Sequence, residues 1–541
     1  MTTRRPGLPA RTSAASLHPR PTTTAPAPGQ PPNATSYVAV VLAGPGEGLF
    51  PLVNTLPTAG GEEPGLAKAA LPVLNRPMVD FVLDWVADSG LSDVLLLAAE
   101  GQRACLAAAT RTRKPALAVR LECIPDSDAA GLGTADTLRW AIQRGLITTA
   151  FVLLPCDLYF QLRPPAASPM CAQTEPIYDR SLLSIVERHR TSQVLLTTVF
   201  YERQANTLDV RDGPGLALVT LDPRSGVLLN LQELDGFGAQ MLVRMALVDR
   251  FPTAVLSSSL VPAHVFVCSP AVIDLLQGLP QLASFKHQFV PWLAKNQWQP
   301  GLLKKTALAS TKLDGPLDPL TAALQRSSTN PTPQDWKTGG KRGERTPLTA
   351  ASTPPISRTF SCLSLDGRAD PLSHGALSAA LASPAPNAAG FRCDYVLWRA
   401  CDGFVCRANS VPAYAEINRT ALKLEHERLQ TLAPRPSGPP PPGTGTAGAD
   451  SLVAPGASLL DKASVKKSVV GRGCVVGRAA KVVNSVLMDR VSIGEHAKIE
   501  NCVLATAVVI GDRVELKDCE VESGTVIEAD FVTKGEKIAR S

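Results

Sequence analysis

The C-terminal part of the chain repeats its apolar positions with a period of 17 residues, and no other feature constrains the fold as strongly. One position of the repeat is occupied by Val453, Val470, Leu487, Leu504 and Val521, each 17 residues after the one before. Within a period the apolar positions follow at steps of 6, 6 and 5 residues, as from 453 to 459, 465 and 470. This spacing predicts three short strands per coil and a triangular parallel β-helix, whose coils bury their apolar positions only by stacking on one another.

The residues between the apolar positions fit the same architecture. Small residues follow the inward positions, and we expect them at the corners of the coils: Gly471, Gly477, Gly494 and Gly511. Cys502 and Cys519 lie one period apart, which predicts a ladder of small buried side chains. A series of ordinary β-hairpins would not keep this period. The stack has open ends, and such an end is a candidate assembly surface.

Before the repeat, short apolar runs alternate with segments of helical periodicity. We expect strands at 38–42, 93–99, 151–154, 194–201 and 259–268, and helices at 77–89, from 271 and at 289–296. This alternation predicts an α/β domain with a largely parallel sheet. Ligands of such sheets bind outside the carboxyl ends of the strands. Near the end of the domain, Asp402-Gly403 between two short strands predicts a hairpin.

Small residues follow the first strand of this domain. A loop containing Gly44 and Gly46 lets backbone N–H groups approach a phosphate, and Lys68 comes just before the next apolar segment. Asp157 follows the strand at 151–154, so it is expected at the same edge of the sheet. The loop fits neither the P-loop nor the dinucleotide-binding pattern. A plain turn followed by a surface lysine is therefore the alternative interpretation.

Composition divides the 541 residues into ordered and low-complexity segments. The predicted segments are a disordered tail at 1–36, an α/β domain at 37–302, a disordered insertion at 303–388, a closing segment of the α/β domain at 389–433, a Pro/Gly linker at 434–450 and the β-helix at 451–533. The tail has four arginines and no acid, which also fits a mitochondrial transit peptide, although its many prolines oppose the helix that such a peptide needs.

Charge and cysteine usage narrow the classes of function. The tail and the insertion each carry a net charge of +4, so the rest of the chain carries −2 of the overall +6. The basic excess therefore gives no support to nucleic-acid binding by the folded domains.

The sequence contains no apolar run of about 18 residues, so no membrane span is predicted, and no signal peptide is recognised. The twelve cysteines form no C-x-x-C pair, which predicts reduced, mostly buried thiols of a cytosolic protein.

Three motifs together resemble the sugar-nucleotide pyrophosphorylases. They are the segment 42–52 with Leu71-Pro72-Val73 behind it, Gly131-Leu132-Gly133-Thr134-Ala135, and Pro155-Cys156-Asp157. The resemblance implies a nucleotidyltransferase-like Rossmann-type α/β domain followed by a left-handed parallel β-helix with hexapeptide repeats. It also implies that the Gly131 motif lies beside a nucleotide base and that Asp157 stands where the family binds a metal.

The glycine loop departs from that family. The family reads close to G-G-x-G-T-R, whereas this chain reads G-P-G-E-G-L and has no arginine between Val38 and Leu71. Glu47 puts a carboxylate where an anion would bind, and we expect it to face the former phosphate position. We therefore predict no catalytic residue and no metal ligand. The vestigial nucleotide-binding residues are Gly44, Gly46, Lys68, Gly131, Gly133, Thr134 and Asp157.

Longer motifs are similar to the gamma subunits of eukaryotic translation initiation factor 2B. They lie at 68–78 with 82–85, at 151–158 and at 407–419, and the 17-residue coils fit as well. The resemblance implies a non-catalytic cytosolic subunit of the guanine-nucleotide exchange complex for initiation factor 2. Its implied partners are the epsilon and other subunits of initiation factor 2B and initiation factor 2 itself, with no membrane and no direct contact to nucleic acid.

The sequence also leaves an enzymatic alternative open. A working pyrophosphorylase would join a nucleoside triphosphate to a sugar 1-phosphate, using Lys68, Gly131, Thr134 and Asp157 with Mg²⁺ at Asp157. No cofactor is expected otherwise, and residual binding of GTP or ATP in the pocket is left open. Asn409 and Asn418 are expected to be structural. His264 and His287 are assigned no chemistry.

Overall fold

The computed structural model describes residues 37–53, 66–111, 117–129, 131–162, 181–203, 216–234, 243–299, 392–432 and 445–540. All of them belong to one unit of the chain, 34–541. The tail at 1–36 and the insertion at 303–388 lie outside the described residues, as does most of the linker at 434–450. The disorder and linker predictions therefore stay predictions.

The α/β part, residues 37–432, contains fourteen described strands and nine described α-helices. The strands are β1 (Val38–Leu42), β2 (Pro72–Val73), β3 (Arg76–Pro77), β4 (Asp93–Ala99), β5 (Ala118–Ile124), β6 (Phe151–Pro155), β7 (Leu158–Leu162), β8 (Leu196–Glu202), β9 (Leu216–Asp222), β10 (Val227–Leu234), β11 (Val255–Ser257), β12 (Leu260–Cys268), β13 (Cys393–Trp398) and β14 (Gly403–Arg407). The helices are α1 (Met78–Asp88), α2 (Arg103–Arg111), α3 (Asp126–Ala129), α4 (Thr134–Gln143), α5 (Leu182–Ser192), α6 (Met245–Arg250), α7 (Ala271–Gly278), α8 (Val290–Asn296) and α9 (Val411–Leu432).

Ten of these strands form one mixed sheet in the order β11-β9-β10-β13-β8-β12-β6-β1-β4-β5. Strands β6, β1, β4 and β5 are parallel, and so are β8 and β13. Strand β12 runs antiparallel to both β6 and β8, and β9 to β11 add further antiparallel pairs. The prediction of a largely parallel sheet is therefore correct from β6 to β5 and wrong from β11 to β6. In the second part β8 and β13 form a parallel pair among antiparallel ones, and a short connection between β9 and β10 closes a hairpin where parallel strands would need a crossover.

The central strands are apolar throughout because both of their faces are covered. In β1, Val40 belongs to the core on one face, while Ala39 and Val41 belong to the core on the other. In β6, Phe151 and Val152 are divided between the two cores in the same way. A strand buried on both sides cannot alternate with polar residues, which explains the continuous apolar runs in the sequence.

The predicted hairpin around Asp402-Gly403 is wrong. Strand β13 pairs in parallel with β8 in the large sheet, whereas β14 pairs antiparallel with β7 in a separate two-stranded sheet. Gly403 turns the chain from one sheet to the other with φ of 144°. A side chain there would meet the backbone of Leu162, whose Cα lies 2.8 Å from an ideal Cβ. A turn does lie at Gly403, but it leads the chain into a second sheet and does not join two strands that pair with each other.

The C-terminal part is a parallel β-helix, as predicted. Its strands are β15 (Thr446–Ala447), β16 (Leu452–Val453), β17 (Ser458–Leu459), β18 (Ser464–Lys466), β19 (Val469–Val470), β20 (Val475–Val476), β21 (Lys481–Val483), β22 (Val486–Leu487), β23 (Ser492–Ile493), β24 (Lys498–Glu500), β25 (Val503–Leu504), β26 (Val509–Ile510), β27 (Glu515–Lys517), β28 (Glu520–Val521), β29 (Val526–Ile527), β30 (Val532–Lys534) and β31 (Lys537–Ile538). Every third strand pairs in parallel, which gives three sheets of six, six and five strands. The coils begin at Thr446, inside the predicted linker, and continue to Ile538, past the predicted end at 533.

The corners of the coils use two different devices. At one corner Lys467, Asn484, Asn501 and Asp518 all take left-handed backbone conformations, with φ between 48° and 55°. The predicted corner glycines are needed for a different reason, which is the close stacking of coils. An ideal Cβ on Gly477 would lie 2.5 Å from the carbonyl carbon of Gly494, one coil away.

A ladder of small side chains lies inside the β-helix, as predicted for Cys502 and Cys519. Ser485 N–H donates to Ser468 Oγ at 3.1 Å, and Cys502 N–H donates to Ser485 Oγ at 3.1 Å. Cys502 and Cys519 are each 1 % exposed.

The prediction of reduced, mostly buried thiols holds for nine of the ten described cysteines, which are free, eight of them buried. It is wrong for Cys401, which is disulfide-bonded. No helix in the described part of the chain is long and apolar enough to cross a membrane.

One apolar cluster joins α9 and the β2–β3 hairpin to the β-helix, since it contains Tyr414 and Val73 together with Val486 and Val503. Tyr414 Oη donates to Pro72 O at 2.5 Å, and Asn418, which is fully buried, accepts from Leu74 N–H at 3.2 Å. Asn75, at the hairpin tip with φ of 62°, donates from Nδ2 to Val470 O of the β-helix at 3.0 Å. The structural role expected of Asn418 is confirmed, because it supports the hairpin that contacts the coils.

Candidate functional site

A cavity of about 220 Å³ opens at the carboxyl ends of β1 and β6. Ligands of parallel sheets bind at this edge, so the cavity lies where the sequence predicts a ligand site. Four of the seven predicted residues line the cavity, namely Gly44, Lys68, Thr134 and Asp157. Its other lining residues are Leu42, Leu153, Leu154, Pro155, Cys156, His264, Phe266, Ser284, Phe285, Lys286, His287 and Arg407.

Asp157 is held by two cations and is 1 % exposed. Arg407 donates from Nε and Nη2 to Asp157 Oδ1 at 3.0 and 2.8 Å, and from Nη2 to Oδ2 at 2.9 Å. Lys68 Nζ lies 2.5 Å from Oδ2. Burial alone would raise the pKa of Asp157, but the charges of Arg407 and Lys68 outweigh it and hold the pKa below its usual value.

Local structure positions both cations. Arg407 ends β14, whose pairing with β7 places the residue directly opposite Leu158 and so beside Asp157. Lys68 begins a short 3₁₀ turn, and its ammonium also donates to Asn409 Oδ1 at 2.9 Å. Asn409 therefore orients the lysine side chain, which is a structural role of the kind expected of it.

The glycine loop packs closely against other segments of the chain. Gly46 has φ of 80° and lies against Lys68, whose Cβ is 3.0 Å from an ideal Cβ on the glycine. Gly48 faces the carbonyl group of Asn409, so closely that a side chain there would overlap it. Glu47 is exposed and is not one of the residues that line the cavity, so the expectation that it faces the former phosphate position is not supported.

The Gly131–Ala135 motif is covered by a segment of the same chain. Ala135 N–H donates to Ala283 O at 2.8 Å, and Thr134 Oγ1 accepts from Phe285 N–H at 2.9 Å. A Cβ on Gly133 would lie 2.6 Å from the Ala283 carbonyl carbon. Gly46, Gly131 and Gly133 do not line the cavity, and the predicted role of the motif at a nucleotide base stays a prediction.

Four residues of the site were missed by sequence reasoning: His264, Lys286, His287 and Arg407. Lys286 forms an ion pair with Glu233, and His287 Nδ1 lies 2.8 Å from the same carboxylate. Burial opposes ionisation of Glu233, but the hydrogen bonds from both side chains lower its pKa to about 2. Arg407 stood in a recognised motif, yet nothing in its sequence position indicated that β14 would return to Asp157.

A divalent metal does not fit the donor set at Asp157. Both carboxylate oxygens already accept hydrogen bonds from Arg407, and Lys68 adds a second positive charge. Among the described residues there is no group of three or more His, Cys, Asp or Glu side chains placed to hold a metal ion. Cations beside a lone carboxylate repel a metal instead of recruiting one.

The comparisons with known proteins first define the class of the C-terminal part. Residues 442–531 match the family model described as GlmU-like, C-terminal hexapeptide. This match agrees with the parallel β-helix and its 17-residue period.

The second comparison concerns a particular protein. The chain is 27 % identical over 269 residues to "Translation initiation factor eIF2B subunit gamma" of Schizosaccharomyces pombe, an alignment that covers 49 % of this chain and 52 % of the relative. The chain thus spans about half the length of the curated relative that it matches. The predicted resemblance to gamma subunits of initiation factor 2B is confirmed.

Proposed function

We propose that this chain is a gamma-type, non-catalytic subunit of the guanine-nucleotide exchange complex that acts on translation initiation factor 2. It pairs with the epsilon subunit, helps to bind initiation factor 2 and works in the cytosol. The similarity to the yeast gamma subunit carries this proposal. The motifs at 68–78 and 407–419 supply further support, because they build the joint between the two parts of the molecule.

The geometry of the cavity supports a non-catalytic role. Transfer of a nucleotidyl group needs several charge-stabilising groups that act on the substrate phosphates together. Here Arg407 and Lys68 are engaged with Asp157, and the Thr134 hydroxyl accepts a hydrogen bond from Phe285 N–H. These hydrogen bonds within the chain support the proposal, because the two cations already neutralise a carboxylate of the protein itself.

The proposal is tested by tagging the chain in the organism that expresses it and purifying it from those cells. We expect the epsilon subunit to co-purify in a constant ratio, with other subunits of initiation factor 2B. Depletion of the chain should slow GDP release from initiation factor 2 in the extract, and adding the chain back should restore the rate. Absence of the epsilon subunit from the purified material would overturn the proposal.

An enzyme assay addresses the alternative function directly. The purified chain is incubated with Mg²⁺, GTP or ATP and a series of hexose 1-phosphates, and pyrophosphate release is measured. We expect no release above that of the Asp157→Asn variant. Turnover that the variant abolishes would make the chain a nucleotidyltransferase.

A further inference from the structure

The cavity contains hydrogen-bond donors that the described parts of the chain leave unused. Arg407 donates hydrogen bonds from Nε and Nη2 to Asp157, and its Nη1 donates to no residue within the described ranges. Lys68 bonds Asp157 and Asn409, which accounts for two of the three N–H groups of an ammonium. Both side chains line the cavity and are 11 % exposed.

His264 faces the same cavity from a distorted strand. Its backbone has φ of 57°, and the pairing of β12 with β8 is irregular between Pro262 and Phe266. A bulge of this kind re-aims a side chain, and a residue other than glycine with positive φ in a strand marks a constrained site. The imidazole lines the cavity and makes no hydrogen bond with any described residue.

The balance of charge around the cavity is positive. Lys68, Arg407 and Lys286 face two carboxylates, Asp157 and Glu233, so one positive charge is left over. Burial, and after it the charges of Arg407 and Lys286, lowers the pKa of His264 well below its usual value. The imidazole is thus neutral, and a neutral imidazole still carries one N–H donor.

The size and walls of the cavity limit the ligand. Pockets that enclose drug-sized molecules hold about 300–1,000 Å³, so a cavity of about 220 Å³ is small for a whole nucleoside triphosphate. Apolar side chains such as Leu153 and Phe266 line the part away from the cations. This arrangement favours an anionic head on the cations, with at most a small organic group.

We propose that the cavity binds a small phosphate anion, either inorganic phosphate or a phosphate monoester, without a divalent cation, on the free donors of Arg407, Lys68 and His264. Arg407 occupies the carboxylate that a metal would need, and it supplies the positive charge that a metal would bring. A guanidinium suits this task because its planar donors bind one oxyanion while other N–H groups remain for a second. The proposal does not rest on the assembly role.

Isothermal titration of the full-length chain in EDTA tests the proposal, with inorganic phosphate and glucose 1-phosphate as probes. We expect saturable binding to one site by one or both probes, with the same affinity when Mg²⁺ replaces EDTA. Tighter binding of glucose 1-phosphate identifies a monoester as the ligand, and equal or tighter binding of phosphate identifies the inorganic ion.

Three variants show whether the binding occurs in this cavity. Arg407→Gln and His264→Asn should each weaken binding about tenfold, because each removes a hydrogen bond to a charged ligand. Asparagine tolerates the left-handed backbone at 264, so this variant keeps the fold even if Arg407→Gln does not. Lys498→Gln removes a positive charge from the exposed β-helix and should leave the affinity unchanged.

Several results would overturn the proposal. Absence of binding by both probes would do so, as would binding that requires Mg²⁺. Equal affinity in the parent chain and in His264→Asn would place the anion elsewhere. Because none of these measurements involves the epsilon subunit, failure here leaves the proposed assembly role to its own test.

Discussion

Ion pairs occur in both parts of the molecule, but they lie in opposite environments. On the β-helix, Arg513 and Asp530 contact each other one coil apart at 2.6 Å, and both side chains are more than 60 % exposed. In the cavity, Arg407 and Asp157 are 11 % and 1 % exposed. Water screens the first pair and hardly reaches the second, so only the second should control stability and ligand binding.

This difference teaches how each part uses its sequence. The β-helix repeats one solution in every coil, so its apolar core and corner conformations are spread over many equivalent residues. The cavity depends on single residues that come from distant parts of the chain, since Lys68, Asp157 and Arg407 meet only in the folded protein. Substitutions should therefore have graded effects in the coils and abrupt effects at the cavity.

The largest effect is expected from Arg407→Met. The variant keeps much of the side-chain length and leaves buried Asp157 with Lys68 alone. We expect the free energy of unfolding to fall by about 3 kcal/mol, the range found when one member of a buried pair is removed. Urea denaturation of the full chain measures this. Arg513→Gln is the matched control and should leave the midpoint unchanged, so equal effects of the two variants would contradict the comparison.

A smaller effect is expected from Gly477→Ala in the β-helix. The added methyl group would press on the Gly494 backbone of the next coil, and overpacking of this kind costs about 1–3 kcal/mol. Gly473→Asn is the control, because its φ of 64° suits asparagine and the nearest atom, Arg490 Cγ, is 3.7 Å away. Thermal unfolding should separate the two, and a larger loss in the control would refute the stacking argument.

The joint between the two parts should respond to Asn75→Gly. Glycine keeps the left-handed backbone but loses the hydrogen bond to Val470 O, which is worth about 1 kcal/mol. Asn484→Gly is matched in backbone conformation but removes an exposed bond to Asn501. Proteolysis at a low protease concentration should cut the first variant faster. Equal rates would mean that Asn75 does not hold the joint.

The smallest effect concerns pH. Burial raises the pKa of Asp157, but Arg407 and Lys68 hold it below the usual value, so its contribution to stability is present above the usual pKa and is lost as pH falls through the lower one. The stability difference between the parent chain and Asp157→Asn should therefore shrink as the pH is lowered from 7 through the usual aspartate range toward acid. A difference that stays constant would show that Asp157 is not ionised in the fold.

The sequence predicts the repeated part of this structure better than the unique part. The period of 17 residues indicates the β-helix directly, because every coil repeats the evidence. The closeness of Gly44 and Asp157 was also predictable, since the carboxyl ends of parallel strands lie at the same edge of a sheet. The pairing of Arg407 with Asp157 was not, because it depends on β14 joining β7 across 250 residues of chain. His264 was missed because a bulge in a strand produces no recognisable pattern of apolar and polar residues in the sequence.

The most direct test of the account is whether Asp157 is free to bind a metal. Titration of the full-length chain with Mn²⁺, followed by electron paramagnetic resonance, compares the parent chain with Asp157→Asn. We expect the same weak binding in both, because Arg407 and Lys68 already form hydrogen bonds and an ion pair with the carboxylate. A stoichiometric Mn²⁺ site in the parent chain that disappears in Asp157→Asn would contradict it.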